Sequence, residues 1–113
     1  MTKTRVMVVE DERIVALNLQ QRLTKLGYEI TTLVASGGQA LHEIENNTPD
    51  IILMDVNIEG DIDGIETVAR IPEHHNIPVI YLTAYSEEAT LQRARSTRPY
   101  GFLLKPILGG AQE

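Results

Sequence analysis

Five short apolar runs, separated by segments of helical periodicity, constrain this chain more than any other feature. They are Arg5–Glu10 (RVMVVE), Glu29–Ala35, Asp50–Asp55 (DIILMD), Ile77–Leu82 (IPVIYL) and Tyr100–Leu104 (YGFLL). Short, nearly continuous apolar runs read as strands covered on both faces. Between the first two, Ala16, Leu19, Leu23 and Leu26 keep one helical face, and Gly27 is placed to stop the helix. Ser36 reads as the cap of a helix carrying Ala40, Leu41 and Ile44, and Asp63 as the cap of one bearing Ile65, Val68 and Ile71. Ser86 opens a further helix through Arg95, with Glu87 and Glu88 near its positive end. The resulting order, β-α-β-α-β-α-β-α-β, requires parallel crossovers of one hand, hence a doubly wound α/β fold with helices on both faces of a parallel sheet.

Composition narrows the function classes. The 113 residues make one domain, expected over 4–107 and followed by a tail or truncated linker at 108–113. No apolar run approaches the roughly 18–20 residues that span a bilayer, and the N-terminus carries no secretory pattern, so a cytoplasmic protein without membrane contact is expected. There are no cysteines, which excludes disulfide frameworks and thiolate metal sites. The net charge of −6 argues against direct nucleic-acid binding by this domain, because phosphate neutralisation needs clustered Lys and Arg.

In an open parallel sheet the strand C-termini share one edge, and ligands bind in the crevice there. Four of the five runs end in chemistry: Glu10-Asp11-Glu12, Asp55 with Asn57 close behind, Thr83, and Lys105. Three carboxylates at such range repel, which protonation or a bound divalent ion relieves. An all-oxygen donor set without Cys or clustered His suits a hard cation, Mg²⁺ or Mn²⁺. With the metal and Lys105 cancelling charge, Asp55 is placed to act as a nucleophile toward phosphorus, giving an acyl phosphate. Lys105 and the metal would hold two phosphoryl oxygens, and the Thr83 hydroxyl would donate to a third.

The motifs V-V-E-D-E, I-I-L-M-D-V-N, D-G-I-E, P-V-I-Y-L-T-A and G-F-L-L-K-P, in that order, resemble those of two-component response-regulator receiver domains from Arg5 through Pro106. The resemblance implies a flavodoxin-like, five-stranded sheet in the order 2-1-3-4-5. It makes Asp55 the phosphoacceptor, charged in an Mg²⁺-dependent step by a histidine kinase or a phosphotransfer protein. By the same resemblance Glu10 and Asp11 are the metal-holding acids, Asn57 contributes its backbone carbonyl, Thr83 and Lys105 sense the phosphoryl group, and Phe102 is the switch aromatic. It also implies a cis Lys105–Pro106 bond. Such a protein is a switch on a protein-interaction surface rather than an enzyme.

Each residue also has a plainer reading. Glu12 is expected to be a first-turn helix acid, Phe102 a core aromatic, and the His74-His75 pair a solvated loop. A phosphatase that forms an aspartyl phosphate would need a second acid two residues after Asp55, where Asn57 stands and can do no proton transfer. A flavin-binding module would want an uncharged phosphate loop where Glu10-Asp11-Glu12 stand. Two departures from the family pattern stand out. The segment between Asp55 and Asp63 is one residue longer than usual and lacks its proline, bringing Glu59 and Asp61 near the site. After Pro106 only seven residues remain, too few for the family's fifth helix, so that helix is expected to be missing or truncated. An exposed apolar strip should result, with the chain a piece of a longer protein or, as the alternative, a homodimer covering that edge.

Overall fold

The computed structural model describes residues 3–84 and 88–105. In chain order the elements are β1 (Arg5–Val9), α1 (Arg13–Lys25), β2 (Glu29–Val34), α2 (Gly37–Asn46), β3 (Ile51–Asp55), α3 (Gly64–Ala69), a single 3₁₀ turn (Glu73–His75), β4 (Val79–Thr83), α4 (Glu88–Arg95) and β5 (Gly101–Leu104). The five strands are all parallel and ordered β2-β1-β3-β4-β5, the flavodoxin-like arrangement expected from the sequence. Four α-helices lie among the described residues, and the fifth is not among them. The expected Ser86 cap with Glu87, the Lys105–Pro106 bond and the tail at 108–113 fall outside the described residues.

Strand alternation sorts the core into two faces. Val6, Val8, Leu53 and Leu82 pack with Leu19 of α1 on one side. Met7, Val9, Ile52, Met54 and Tyr81 pack with Ala40 and Ile44 of α2, Ile65 of α3 and Ala94 of α4 on the other. Each buried Val, Leu, Ile or Met among these contributes about 1.5–3 kcal/mol by leaving water. The parity then runs on past the strand ends: Glu10, Asp55 and Lys105 continue the rows of Val8, Leu53 and Leu103 on the α1 side, whereas Thr83 and Phe102 follow Tyr81 on the other.

The expected caps are present where they are described. Ser36 Oγ accepts from Gln39 N at 3.2 Å, while Gln39 Oε1 accepts from Ala35 N, the residue before the cap, at 3.0 Å. Asp63 Oδ1 accepts from Glu66 N at 2.8 Å. Helix α1 ends where Gly27, at φ +102°, reverses the chain, with Tyr28 N bonded to Leu23 O and Gly27 N to Thr24 O, both at 3.0 Å.

Several expectations need correction. Leu26 does not continue the buried face of α1: it is the C-cap and is 73% exposed, because the chain leaves the helix there. Ile71 lies past the end of α3, whose cap is Arg70, and packs on the core from the following turn. His74 is exposed, as expected of a solvated segment, whereas His75 is docked, with its Nε2 3.0 Å from Glu45 Oε2 of α2. On the α1 side of β4 and β5, Leu82 is fully buried and Ile80 half-buried, leaving Leu103 at 40% exposure.

Candidate functional site

Sheet register brings the chemistry together. Val9 lies opposite Met54, Asp55 opposite Leu82, and Thr83 opposite Leu104. Glu10, Asp55, Thr83 and Lys105 therefore stand within one residue of the same level at the C-terminal edge. The ladders run past the strand ends to reach them, with Glu10 N bonded to Val34 O at 2.9 Å and Lys105 N to Thr83 O at 2.7 Å. These bonds fix the backbone under each functional side chain.

Asp55 is buried at 3% exposure, and both of its oxygens are engaged. Oδ2 accepts from Lys105 Nζ at 3.0 Å, and Oδ1 accepts from the backbone N–H of Asn57, also at 3.0 Å. Lys105 Nζ also lies 3.2 Å from Glu10 Oε1, an ion pair whose angles leave that buried oxygen without a hydrogen bond. Glu10 Oε2 accepts from Glu12 N at 3.0 Å. Burial pushes the Glu10 carboxyl up to about 7; the Glu12 N–H opposes this, the Asp55 charge adds to it, and Lys105 holds it back. Burial works against the Lys105 ammonium, but the Asp55 and Glu10 carboxylates outweigh it and raise its pKa. One cation thus faces two buried carboxylates, and it does not balance them.

Asp11 adds a third acid. One carboxylate oxygen from each of Glu10, Asp11 and Asp55 lies within 4.8 Å of the others. Among the described residues this is the single cluster of its kind. Its donors are all oxygen, and the buried Glu10 Oε1 meets only the Lys105 ammonium, at 3.2 Å, which fits a hard divalent cation. Asp11 Oδ2 also accepts from Glu59 N at 3.1 Å, tying the β3–α3 loop across the site.

The cluster opens into a cleft of about 660 Å³. Asp11, Glu12, Asp55, Asn57, Glu59 and Lys105 provide its polar wall. Val15, Leu19, Leu82 and Ala84 line the rest. Two expectations about this rim are corrected. Glu12 is the N-cap residue of α1, makes no capping bond with its side chain, and is among the residues lining the cleft. Asp61 is exposed and is not part of the lining, because the loop turns away at Gly60, which has φ +119°.

Gly64 explains how the β3–α3 loop seats behind the site. A Cβ there would lie 2.0 Å from the Asp55 carbonyl oxygen, so only glycine allows α3 to start against the end of β3. Asp63, just before it, caps α3 and also pairs with Arg93 of α4 at 3.0 Å; against partial burial, the Glu66 N–H first and the Arg93 guanidinium second hold its carboxyl below the usual range. Phe102 is half-buried on β5, its ring stacked on Tyr81 with centroids 5.8 Å apart. Tyr81, fully buried, shares a 2.7 Å hydrogen bond with Thr97 just beyond α4. Neither the Asp63–Arg93 pair nor the Tyr81–Thr97 contact had a sequence signal, since both depend on where α4 docks. Thr83 is buried at 4% exposure and lies beside the cleft rather than in its wall.

Comparison with known proteins agrees with this geometry. A family model described as the response regulator receiver domain matches residues 6–111. The chain belongs to the response regulator receiver domain family. Curated relatives of this receiver include the transcriptional regulatory protein PdtaR of Mycobacterium tuberculosis, 33% identical over 91% of the chain and 50% of the relative. Another is the sporulation initiation phosphotransferase F of Bacillus subtilis, 33% identical over 95% of the chain and 86% of the relative. The chain thus spans half of PdtaR and most of the phosphotransferase. Among solved structures, the signal receiver domain of a modulated diguanylate cyclase from Desulfovibrio desulfuricans superposes with a TM-score of 0.88 at 36% identity, covering 94% of this chain and 84% of that one. No described helix of the receiver is long and apolar enough to cross a membrane.

Proposed function

We propose that this receiver domain accepts a phosphoryl group on Asp55 from the phosphohistidine of a histidine kinase or phosphotransfer protein, and that the charged form switches a protein-interaction surface. The observation that carries the reading is the placement of Asp55: a buried carboxylate at a strand end, 3.0 Å from an ammonium and clustered with two further acids. An Asp55 oxygen attacks phosphorus as the bond from phosphorus to the donor's imidazole nitrogen breaks. The electron pair leaves with the imidazole, which departs neutral when its other nitrogen is protonated. Lys105 follows the charge from Asp55 Oδ2 to a phosphoryl oxygen, and Thr83, next to the site at the end of β4, donates its hydroxyl to another. Phosphoryl transfer gains mainly from such positioning and neutralisation.

Glu10, Asp11, Asp55 and the Asn57 carbonyl are the groups that would hold Mg²⁺ or Mn²⁺. When bound, the ion supplies charge neutralisation at the attacking and transferred oxygens. Asn57, with no proton to exchange, supports a phosphoacceptor switch over a turnover enzyme. Movement of Thr83 toward the phosphoryl group frees space that Phe102, against Tyr81, is placed to enter, which alters the α4–β5 surface. A cytoplasmic setting follows from such a donor.

The test is direct. Wild-type protein incubated with a small phosphodonor and Mg²⁺ is expected to gain the mass of one phosphoryl group, sensitive to hydroxylamine, and Asp55→Asn to gain none. Undiminished labelling of the variant, or labelling unaffected by a chelator, would overturn the proposal.

A further inference from the structure

The end of α4 is tied to two neighbours, and each tie leads to one side of the site. Arg93 Nη1 donates to Asp63 Oδ2 at 3.0 Å, and Nη2 donates to Oδ1 at 3.4 Å, so the guanidinium fork meets both carboxylate oxygens. Asp63 opens α3, and the residue after it is locked to the acceptor strand. Gly64 N donates to Val56 O at 2.9 Å, and Gly64 packs so closely on the Asp55 carbonyl that a Cβ would collide with it. Thr97, four residues after Arg93, makes the second tie. Its hydroxyl donates to Ala94 O at 2.6 Å, which leaves the Tyr81 hydroxyl as the donor in the 2.7 Å bond between Tyr81 and Thr97. Tyr81 is fully buried, lies two residues before Thr83 on β4, and stands opposite Met54, the residue before Asp55. Ala94, between the two ties, is fully buried as well. Arg95 differs: it is exposed and pairs within α4, with Glu88 at 3.6 Å.

We infer that Arg93 and the Tyr81 hydroxyl are positioning residues for phosphoryl transfer: by holding the end of α4 to both the start of α3 and strand β4, they fix the spacing between the Asp55 and Thr83 backbones. The β3–β4 ladder sets that spacing only up to its last bond, from Val56 N to Leu82 O at 3.0 Å. Above it, β3 leads into the loop before α3 and β4 leads toward α4, so the ties between these helices carry the spacing at the level where the phosphoryl group is held. Small displacements of reacting groups cost rate. The Arg93–Asp63 pair is half-exposed and the Tyr81–Thr97 bond is a single neutral one, so each controls a small factor rather than the whole reaction. This role rests on the phosphoacceptor reading above.

Initial rates of phosphorylation by acetyl phosphate at saturating Mg²⁺ decide it, with folding checked by circular dichroism and Mg²⁺ affinity by calorimetry. Arg93→Ala is expected to slow the folded protein about two- to fivefold with Mg²⁺ affinity unchanged. Tyr81→Phe removes the hydroxyl, keeps the ring against Phe102, and should slow it by a similar factor. Arg93→Lys keeps a cation for Asp63 and should recover part of the loss. In an Asp63→Asn background Arg93→Ala should add nothing, because the tie is already gone. Arg95→Ala removes the same charge from the same helix and should leave the rate as it is. Ties that served stability alone would lower the urea midpoint of Arg93→Ala and Tyr81→Phe and leave their rates unchanged, which would overturn the inference. Faster rates, equal slowing in Arg95→Ala, or slowing that tracks lost Mg²⁺ affinity would overturn it too, each leaving Asp55 as phosphoacceptor. Failure of the wild type to label would instead remove the phosphoacceptor reading, and the inference with it.

Discussion

Replacing Glu10 by Gln tests how the site balances its charges. The Glu10 side chain is sealed from solvent, and its pKa rises from 4.5 to about 7 in the fold. A carboxyl with a raised folded pKa binds its proton more tightly folded than unfolded. Its contribution to stability is therefore complete below about 4.5 and is lost as pH rises toward 7. At 1.36 kcal/mol per unit, that loss is at most about 3 kcal/mol. The neighbouring Lys105 shares in the titration, so about 1–3 kcal/mol is the working range. Glu10→Gln has no such titration. Between pH 4.5 and 8, without divalent ions, the unfolding free energy of the variant should gain on that of the wild type by this amount, and its Tm should gain about 5–15 °C. Excess Mg²⁺ should offset the loss at pH 8 by stabilising the wild type more than the variant, because the ion binds the ionised carboxylates. Thermal unfolding followed by circular dichroism across this pH range measures both effects. A difference between the two proteins that stays flat with pH, or equal stabilisation of both by Mg²⁺, would mean that Glu10 is not held protonated by burial.

Three further perturbations follow from the same geometry. Lys105→Ala leaves Asp55 and Glu10 without their cation, so the metal-free protein should lose about 2–4 kcal/mol at pH 8 by urea unfolding, with much of the loss recovered in Mg²⁺. Gly64→Ala drives a methyl group into the Asp55 carbonyl and should cost about 1–3 kcal/mol, together with slower phosphorylation, since the backbone under the acceptor must shift. Asp63→Asn keeps the α3 cap and removes the half-exposed ion pair to Arg93, so it should cost under about 1 kcal/mol, whereas Asp63→Ala should cost about 1 kcal/mol more than Asn.

The topology and most of the site were legible in the sequence because both follow from periodicity. Apolar runs ending in Glu10, Asp55, Thr83 and Lys105 are enough to place those residues at one edge once the strands are parallel. The parity of Val8, Leu53 and Leu103 then sends Glu10, Asp55 and Lys105 to one face. Helix ends marked by local chemistry, at Ser36, Asp63 and Gly27, were equally readable. What the pattern did not carry was tertiary. Leu26 satisfies the helical spacing but lies where α1 has already ended. Glu12 looked like an ordinary first-turn acid, and its exposure to the cleft depends on how α1 leaves β1. His75 found Glu45 only because α2 and the 3₁₀ turn lie side by side, and Arg93 found Asp63 only because α4 docks beside α3. Asp61 and Glu59 are alike in sequence, and the left-handed Gly60 between them decides which one reaches the site.

Three clustered acids could take the phosphoryl group, and the proposal assigns it to Asp55. Labelling with phosphoramidate and Mg²⁺, reduction with borohydride and peptide mass mapping identifies the acylated carboxylate. Reduction of Asp55 alone is expected, abolished by chelation of the metal. Reduction at Glu10 or Asp11, or at Asp55 independently of the metal, would contradict it.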